Sequence, residues 1–289
     1  MQIIETLAEI SDRYDAVFCD LWGCLHNGVT SFPDAVEALR AFRAKGGKVV
    51  LLTNAPRPRA EVAQQLVGFS VPDDCWDTIA TSGDSARSAM FRGAIGEKVW
   101  FMGFDEDQTF FDPLKVLDDP IDIERVDLED ATGIACLGPF DPMADPDVNR
   151  PQFLYAKQKG LKLLCANPDI VVDRGETREW CAGALARLYE EMGGESLYFG
   201  KPHPPIYDLA RRRLTALGDV VPDSRILAIG DGIGTDVKGA LGEDIDVLFI
   251  TGGLAARETE TDTQPNPAAL DRYVADEQMT PTYAIGYLR

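Results

Sequence analysis

Short apolar runs alternate with amphipathic stretches along most of this chain. Residues 15–20, DAVFCD, are a near-continuous apolar run that closes on an acid. In FPDAVEALRAFRAKGG, residues 32–47, Val36, Leu39 and Phe42 recur at helical spacing. Pro33 suits the first turn of that helix, and Gly46 with Gly47 ends it. KVVLLTN (48–54) predicts a second buried strand, residues 58–68 a second helix, and DTIATSG (77–83) a third strand. The same texture returns near the end. SLYFGKP (196–202), RILAIGD (225–231) and DVLFITGG (246–253) predict strands, separated by helices over 205–217 and 234–241. KVVLLTN is near-continuously apolar, typical of a parallel sheet covered on both faces. Strand–helix alternation of this kind predicts an α/β fold with a Rossmann-like parallel-sheet core.

The middle of the chain repeats the pattern in KVWFMGF (98–104), GIACLGPF (133–140) and LKLLCANPD (161–169). It reads as a second α/β domain inserted into the first. The expected organisation is a core of residues 1–84 and 189–289 with an inserted α/β domain over 85–188. An acidic stretch from Asp105 to Asp147 has only Lys115 and Arg125 as bases and reads as a solvated surface. No tandem repeat or low-complexity tract stands out.

Composition narrows the partners. The chain has 289 residues, of which 45% are apolar, enough for two packed domains or one large one. Its 48 acids and 28 bases give a net charge of −20. That excludes a general nucleic-acid binder and disfavours docking on anionic membranes. A small anionic substrate stays allowed, because one lysine and a metal ion can invert the field inside a pocket. The start, MQIIETLAEISDRY, resembles no signal peptide, and no apolar run is long enough to span a membrane. Six scattered cysteines and two histidines do not make a zinc cluster. They read as buried free thiols in a reducing cytoplasm.

Ligands of open α/β sheets bind beyond the carboxyl ends of the strands. Four predicted strand ends carry polar groups: Asp20; Thr53 and Asn54; Lys201; and Asp231, with Asp236 five residues on. Three carboxylates cannot stay ionised together without a cation, and hard oxygens with few histidines suit Mg²⁺. Lys201 adds positive charge and Thr53 a donor, so the set suits phosphoryl transfer, with one carboxylate free to attack phosphorus. Taken singly, each residue has a plain structural use: a turn cap at Asp20, turn chemistry at Thr53-Asn54, and packing at His26 and His203. GDGIGTD (230–236) could be a dinucleotide loop. However, Asp231 would face the pyrophosphate, and the glycine pattern is incomplete.

In that order, FCDLWG with Asp20, LLTN, GKPHP and GDGIGTD resemble the four motifs of the haloacid-dehalogenase-like hydrolases. The lysine followed by proline, the insertion, TNAPRPR, ATSGD, ANPD and PTYAIGYL are similar to the class IIA, NagD-like branch. The resemblance implies a core with an inserted α/β cap that closes over the pocket. It implies a hydrolase of small phosphorylated metabolites, with Asp20 as nucleophile and Mg²⁺ ligand. Thr53 and Asn54 would hold the phosphoryl group, and Lys201 would offset its charge. Asp231, Asp236 and the backbone carbonyl of residue 22 would complete the metal site. Asn167 and Asp169 of ANPD would approach substrate, and caps of this branch take part in homodimers.

One position departs. Phosphatases of the family carry an aspartate two residues after the nucleophile, as acid and then base; here it is Trp22. An indole nitrogen only donates. A carbonyl is indifferent to its side chain, so the metal site can persist while proton transfer is lost or moved, with His26 the first candidate to take it over. Two other readings remain: attack by Asp20 on carbon, as in dehalogenation, and a phosphate-binding regulatory protein with little turnover.

Overall fold

The computed structural model describes residues 1–114, 117–174, 177–218 and 220–289. Lys115, one of the two bases of the acidic stretch, lies outside them. The chain forms two compact units: Met1–Thr53, Ala63–Ala80 and Tyr207–Arg289 make the first, Asn54–Val62 and Thr81–Ile206 the second.

The first unit is built on a seven-stranded sheet. Its order is Gln2–Ile3, Tyr283–Ile285, Asp246–Ile250, Ile226–Gly230, Ala16–Cys19, Lys48–Thr53 and Thr78–Thr81. The first six strands run parallel. Every residue of Ala16–Cys19 and Ile226–Gly230 is buried, as expected for central strands covered on both faces. From Ala16–Cys19 the chain steps outward to Lys48–Thr53 and Thr78–Thr81. From the adjacent Ile226–Gly230 it steps the other way, to Asp246–Ile250. Such a reversal opens a crevice at the carboxyl ends of the two neighbouring strands. Helix Pro33–Ala44 begins on its proline and buries Val36, Leu39 and Phe42, as its spacing predicts.

The second unit holds a five-stranded parallel sheet. Its order is Glu195–Tyr198, Lys162–Cys165, Gly133–Cys136, Lys98–Met102 and Glu124–Arg125. Val171–Arg174 and Thr177–Trp180 form a separate antiparallel pair. One face of the sheet packs Phe153 and Tyr189, and the other packs Met90, Phe91 and Phe110 from the segments around helix Ser82–Met90.

This unit extends beyond the expected 85–188 at both ends, by strand partnership at one and by loop hydrogen bonds at the other. Glu195–Tyr198 pairs residue for residue with Lys162–Cys165, so it completes the second sheet rather than the first. At the other end, Gly83 N–H donates to the Ala55 carbonyl at 3.0 Å and Arg59 N–H to Asp84 at 3.2 Å. These bonds gather the 54–62 loop into the second unit. A run of apolar residues predicts a strand but does not say which sheet it joins. All six cysteines are free and buried. Among the described residues, no helix is long and apolar enough to cross a membrane.

Candidate active site

Asp20 directly follows strand Ala16–Cys19, and Asp231 directly follows Ile226–Gly230. Cys19 pairs with Ile229, and the Asp20 N–H donates to the Ile229 carbonyl at 2.8 Å. The ladder therefore delivers both carboxylates to the crevice of the first sheet. A carboxylate oxygen of Asp20, one of Asp231 and Cys24 Sγ all lie within 4.8 Å of one another, and all three residues are buried. Two buried carboxylates this close favour a cation between them. Cys24 does not add a thiolate: burial, then the charges of Asp231 and Asp20, push its thiol well above its ordinary range. The donors on offer are carboxylate oxygens, which fit a hard divalent cation such as Mg²⁺.

The Asp231 carboxylate is set by close backbone approach. Leu254 N–H donates to its Oδ2 at 3.0 Å. A Cβ on Gly23 or on Gly253 would stand 2.1 or 2.0 Å from that same oxygen. The glycines of LWG and ITGG thus leave room for one carboxylate. Asp236 is buried on the wide turn Ile233–Val237, where its Oδ2 accepts from Gly232 N–H at 3.1 Å. Thr53 is buried at the end of Lys48–Thr53.

Trp22 turns toward the loop that follows it. Its six-membered ring occupies the space a Cβ of Gly28 would need, 2.2 Å from that position. Its rings meet the His26 imidazole edge-on, with centroids 5.3 Å apart. His26 also packs on Phe69 at 4.7 Å, is 2% exposed, and accepts the Gly28 N–H on Nδ1 at 3.0 Å. Burial lowers its pKa to about 4. His26 is thus a neutral packing group with one ring nitrogen committed to the backbone. This corrects the expectation that it could replace the missing acid, since a ring neutral at pH 7 holds no readily released proton. His203 is likewise a packing group, stacked on Tyr198 at 4.6 Å.

The remaining expected residues form a second cluster, in the second unit. Asn54 Nδ2 donates to Asp169 Oδ1 at 2.8 Å and to the Lys201 carbonyl at 3.1 Å. Its Oδ1 accepts the Lys201 N–H at 2.7 Å. Asn167 Oδ1 accepts the Asp169 N–H at 3.1 Å, a tight local turn. Lys201 and Asn54 are both buried. Sequence reasoning missed Cys24, Gly253 and Leu254 as neighbours of the carboxylates. Only the glycine pair that ends ITGG carried a signal.

Comparison with known proteins gives the family. A haloacid dehalogenase-like hydrolase family model matches residues 17–115, and a second, HAD-hydrolase-like model matches 198–276. A solved hydrolase of the haloacid dehalogenase-like family from Brucella suis 1330 is 39% identical. The match covers 99% of this chain and 100% of that one, with a TM-score of 0.86. The chain belongs to the haloacid dehalogenase-like hydrolases. Within this family, ribonucleotide monophosphatase NagD of Escherichia coli (strain K12) is 23% identical over 86% of this chain and 92% of its own. The fold also matches 4-nitrophenylphosphatase from Thermotoga maritima, 19% identical, over 96% of both chains with a TM-score of 0.70.

Proposed function

We propose that this hydrolase is a Mg²⁺-dependent phosphatase of a small phosphorylated metabolite, working through an aspartyl-phosphate on Asp20. The observation that carries the reading is the pair of buried carboxylates, Asp20 and Asp231, at the reversal point of the first sheet. The relatives named as a ribonucleotide monophosphatase and a nitrophenylphosphatase point the same way, toward phosphate esters.

In this reading Asp20, Asp231, Asp236 and the Trp22 carbonyl hold the cation, which neutralises charge near the phosphoryl group when bound. Thr53 donates to a phosphoryl oxygen, and Lys201 offsets negative charge. A carboxylate oxygen of Asp20 attacks phosphorus. The bond from phosphorus to the leaving oxygen breaks, and its electron pair departs with that oxygen. Water then attacks the phosphorus of the aspartyl-phosphate and gives its proton to solvent, the bond to Asp20 breaks with its electron pair returning to the carboxylate, and phosphate leaves. Trp22 gives no proton to the first step and takes none in the second. Leaving groups stable as anions therefore react best, and the intermediate persists. Six free buried cysteines suit a reducing, cytoplasmic setting.

Hydrolysis of para-nitrophenyl phosphate and of a sugar phosphate, with Mg²⁺ or with a chelator, tests the proposal. Mg²⁺-dependent turnover is expected, with the sugar phosphate slower by about 10²–10⁴-fold, the usual worth of a positioned acid–base group. A phosphorylated protein should be trapped on acid quench. Equal, fast turnover of both esters would remove the role given to Trp22. No turnover of either, and no phosphorylated protein, would remove the phosphatase reading.

A further inference from the structure

Lys201 is 2% exposed, and both of its backbone polar groups are held by one side chain, that of Asn54. Asn54 has two amide hydrogens and one carbonyl oxygen to place. One hydrogen goes to the Lys201 carbonyl, the other to Asp169, and the oxygen takes the Lys201 N–H. Turned over, the amide would set its oxygen against the Asp169 carboxylate and the Lys201 carbonyl, and its hydrogens against the Lys201 N–H. A carboxylate can only accept. Asp169 and the Lys201 backbone together fix which way the amide faces, and Asp169 anchors it through a charge-assisted bond of 2.8 Å. Gly200 lets the chain come this close: a Cβ there would lie 2.4 Å from Asn54 Oδ1, 2.6 Å from Pro168 and 2.7 Å from Ser82 Oγ.

We infer that Asp169 is a positioning residue for Lys201, acting through Asn54, and not a ligand for substrate. The inference rests on the reading above, in which Lys201 is the cation of the phosphoryl site. It reassigns Asp169 from substrate choice to the shared chemistry. Its loss should then cost every substrate alike, because the phosphoryl group is common and the leaving group is not.

The experiment compares Asp169→Ala, Asp169→Asn and Asn54→Ala in the full chain with Mg²⁺, each checked by thermal melt. Kinetics are read with para-nitrophenyl phosphate and phenyl phosphate, and hydrogen exchange is read at the Lys201 amide. Asp169→Ala should lower kcat by about 10–100-fold for both esters with KM little changed, the scale of a small misplacement at a reacting centre. Exchange at the Lys201 amide should quicken. Asp169→Asn, whose carbonyl can still accept from Asn54, should recover part of the rate. In a Lys201→Met background, Asp169→Ala should cost nothing further.

A KM that rises, by different factors for the two esters, would overturn the inference in favour of substrate contact. The same loss in the Lys201→Met background would make Asp169 a merely structural residue. Unchanged exchange in Asp169→Ala and Asn54→Ala would show that the clasp does not hold Lys201. Failure of the unsubstituted chain to hydrolyse either ester would instead overturn the phosphatase reading, and the exchange measurement stands apart from that.

Discussion

In the first sheet the chain departs in opposite directions from the neighbouring strands Ala16–Cys19 and Ile226–Gly230. In the second it does so from Lys98–Met102 and Gly133–Cys136. Both sheets are thus laid out to open a crevice at two adjacent strand ends. In the first, the next residues are Asp20 and Asp231, two buried carboxylates. In the second, they are Gly103 and Leu137. Leu137 is buried and its N–H donates to the Met102 carbonyl at 2.8 Å, while the Phe101 ring fills the space beside Gly103. Topology offers a site twice, and the residues after the strands decide that one position carries charge and the other is packed shut.

The sharpest way to break this contrast is to remove the charge. Asp20→Asn should abolish para-nitrophenyl phosphate turnover, a loss on the order of 10⁴-fold or more, as for other enzymes stripped of a nucleophile. It should also melt higher than the unsubstituted chain in a chelator, because one of two close buried negative charges is gone. A variant that melts lower there would deny the close pair of charges, and one that keeps its rate would deny the nucleophile. The matching change in the second sheet is Leu137→Ala. It should cost about 2–5 kcal/mol of stability through the cavity left behind, with unchanged kcat per folded molecule. A fall in kcat without a fall in stability would mean that the second crevice takes part in the reaction.

His26 gives a smaller effect, and on pH. Its pKa of about 4 in the folded chain lies below the ordinary value of 6.5. The unfolded chain therefore binds more protons between those values, and stability rises with pH through that window. The contribution is complete above pH 6.5 and is lost as pH falls toward 4, at most about 3 kcal/mol. His26→Gln should flatten that part of a stability–pH curve measured by denaturant unfolding. A curve of the same slope with and without His26 would contradict the buried, neutral ring.

Local pattern made much of the first sheet legible. Apolar runs ending on Asp20, Thr53 and Asp231 are strands ending on those residues, or one short of them. What it could not supply is partnership across the chain. Gln2–Ile3 is too short to show a pattern, and it becomes a strand only by pairing with Tyr283–Ile285. Asn54 and Asp169 are 115 residues apart and bond only because the second unit folds. ANPD therefore signalled a functional segment without saying that its acid faces an amide. Trp22 was legible as a missing acid, but the surface of Gly28 and His26 that receives its ring was not.

That receiving surface sets the smallest expected effect. Trp22→Asp restores a group that can give and take a proton at the residue two beyond the nucleophile, and leaves Gly28 and His26 without their neighbour. Sugar-phosphate turnover should rise by about 10–100-fold, less than the full worth of an acid–base group, because the loop is shaped around an indole. Para-nitrophenyl phosphate should change little in its first step, since its leaving group needs no proton. The amount of trapped phosphorylated protein should fall, because water attack gains a base. Stability should drop by about 1–3 kcal/mol as the half-buried ring is lost. If sugar-phosphate turnover stays flat while the fold survives, the missing proton is supplied elsewhere in the protein, and Trp22 is not what limits its substrates.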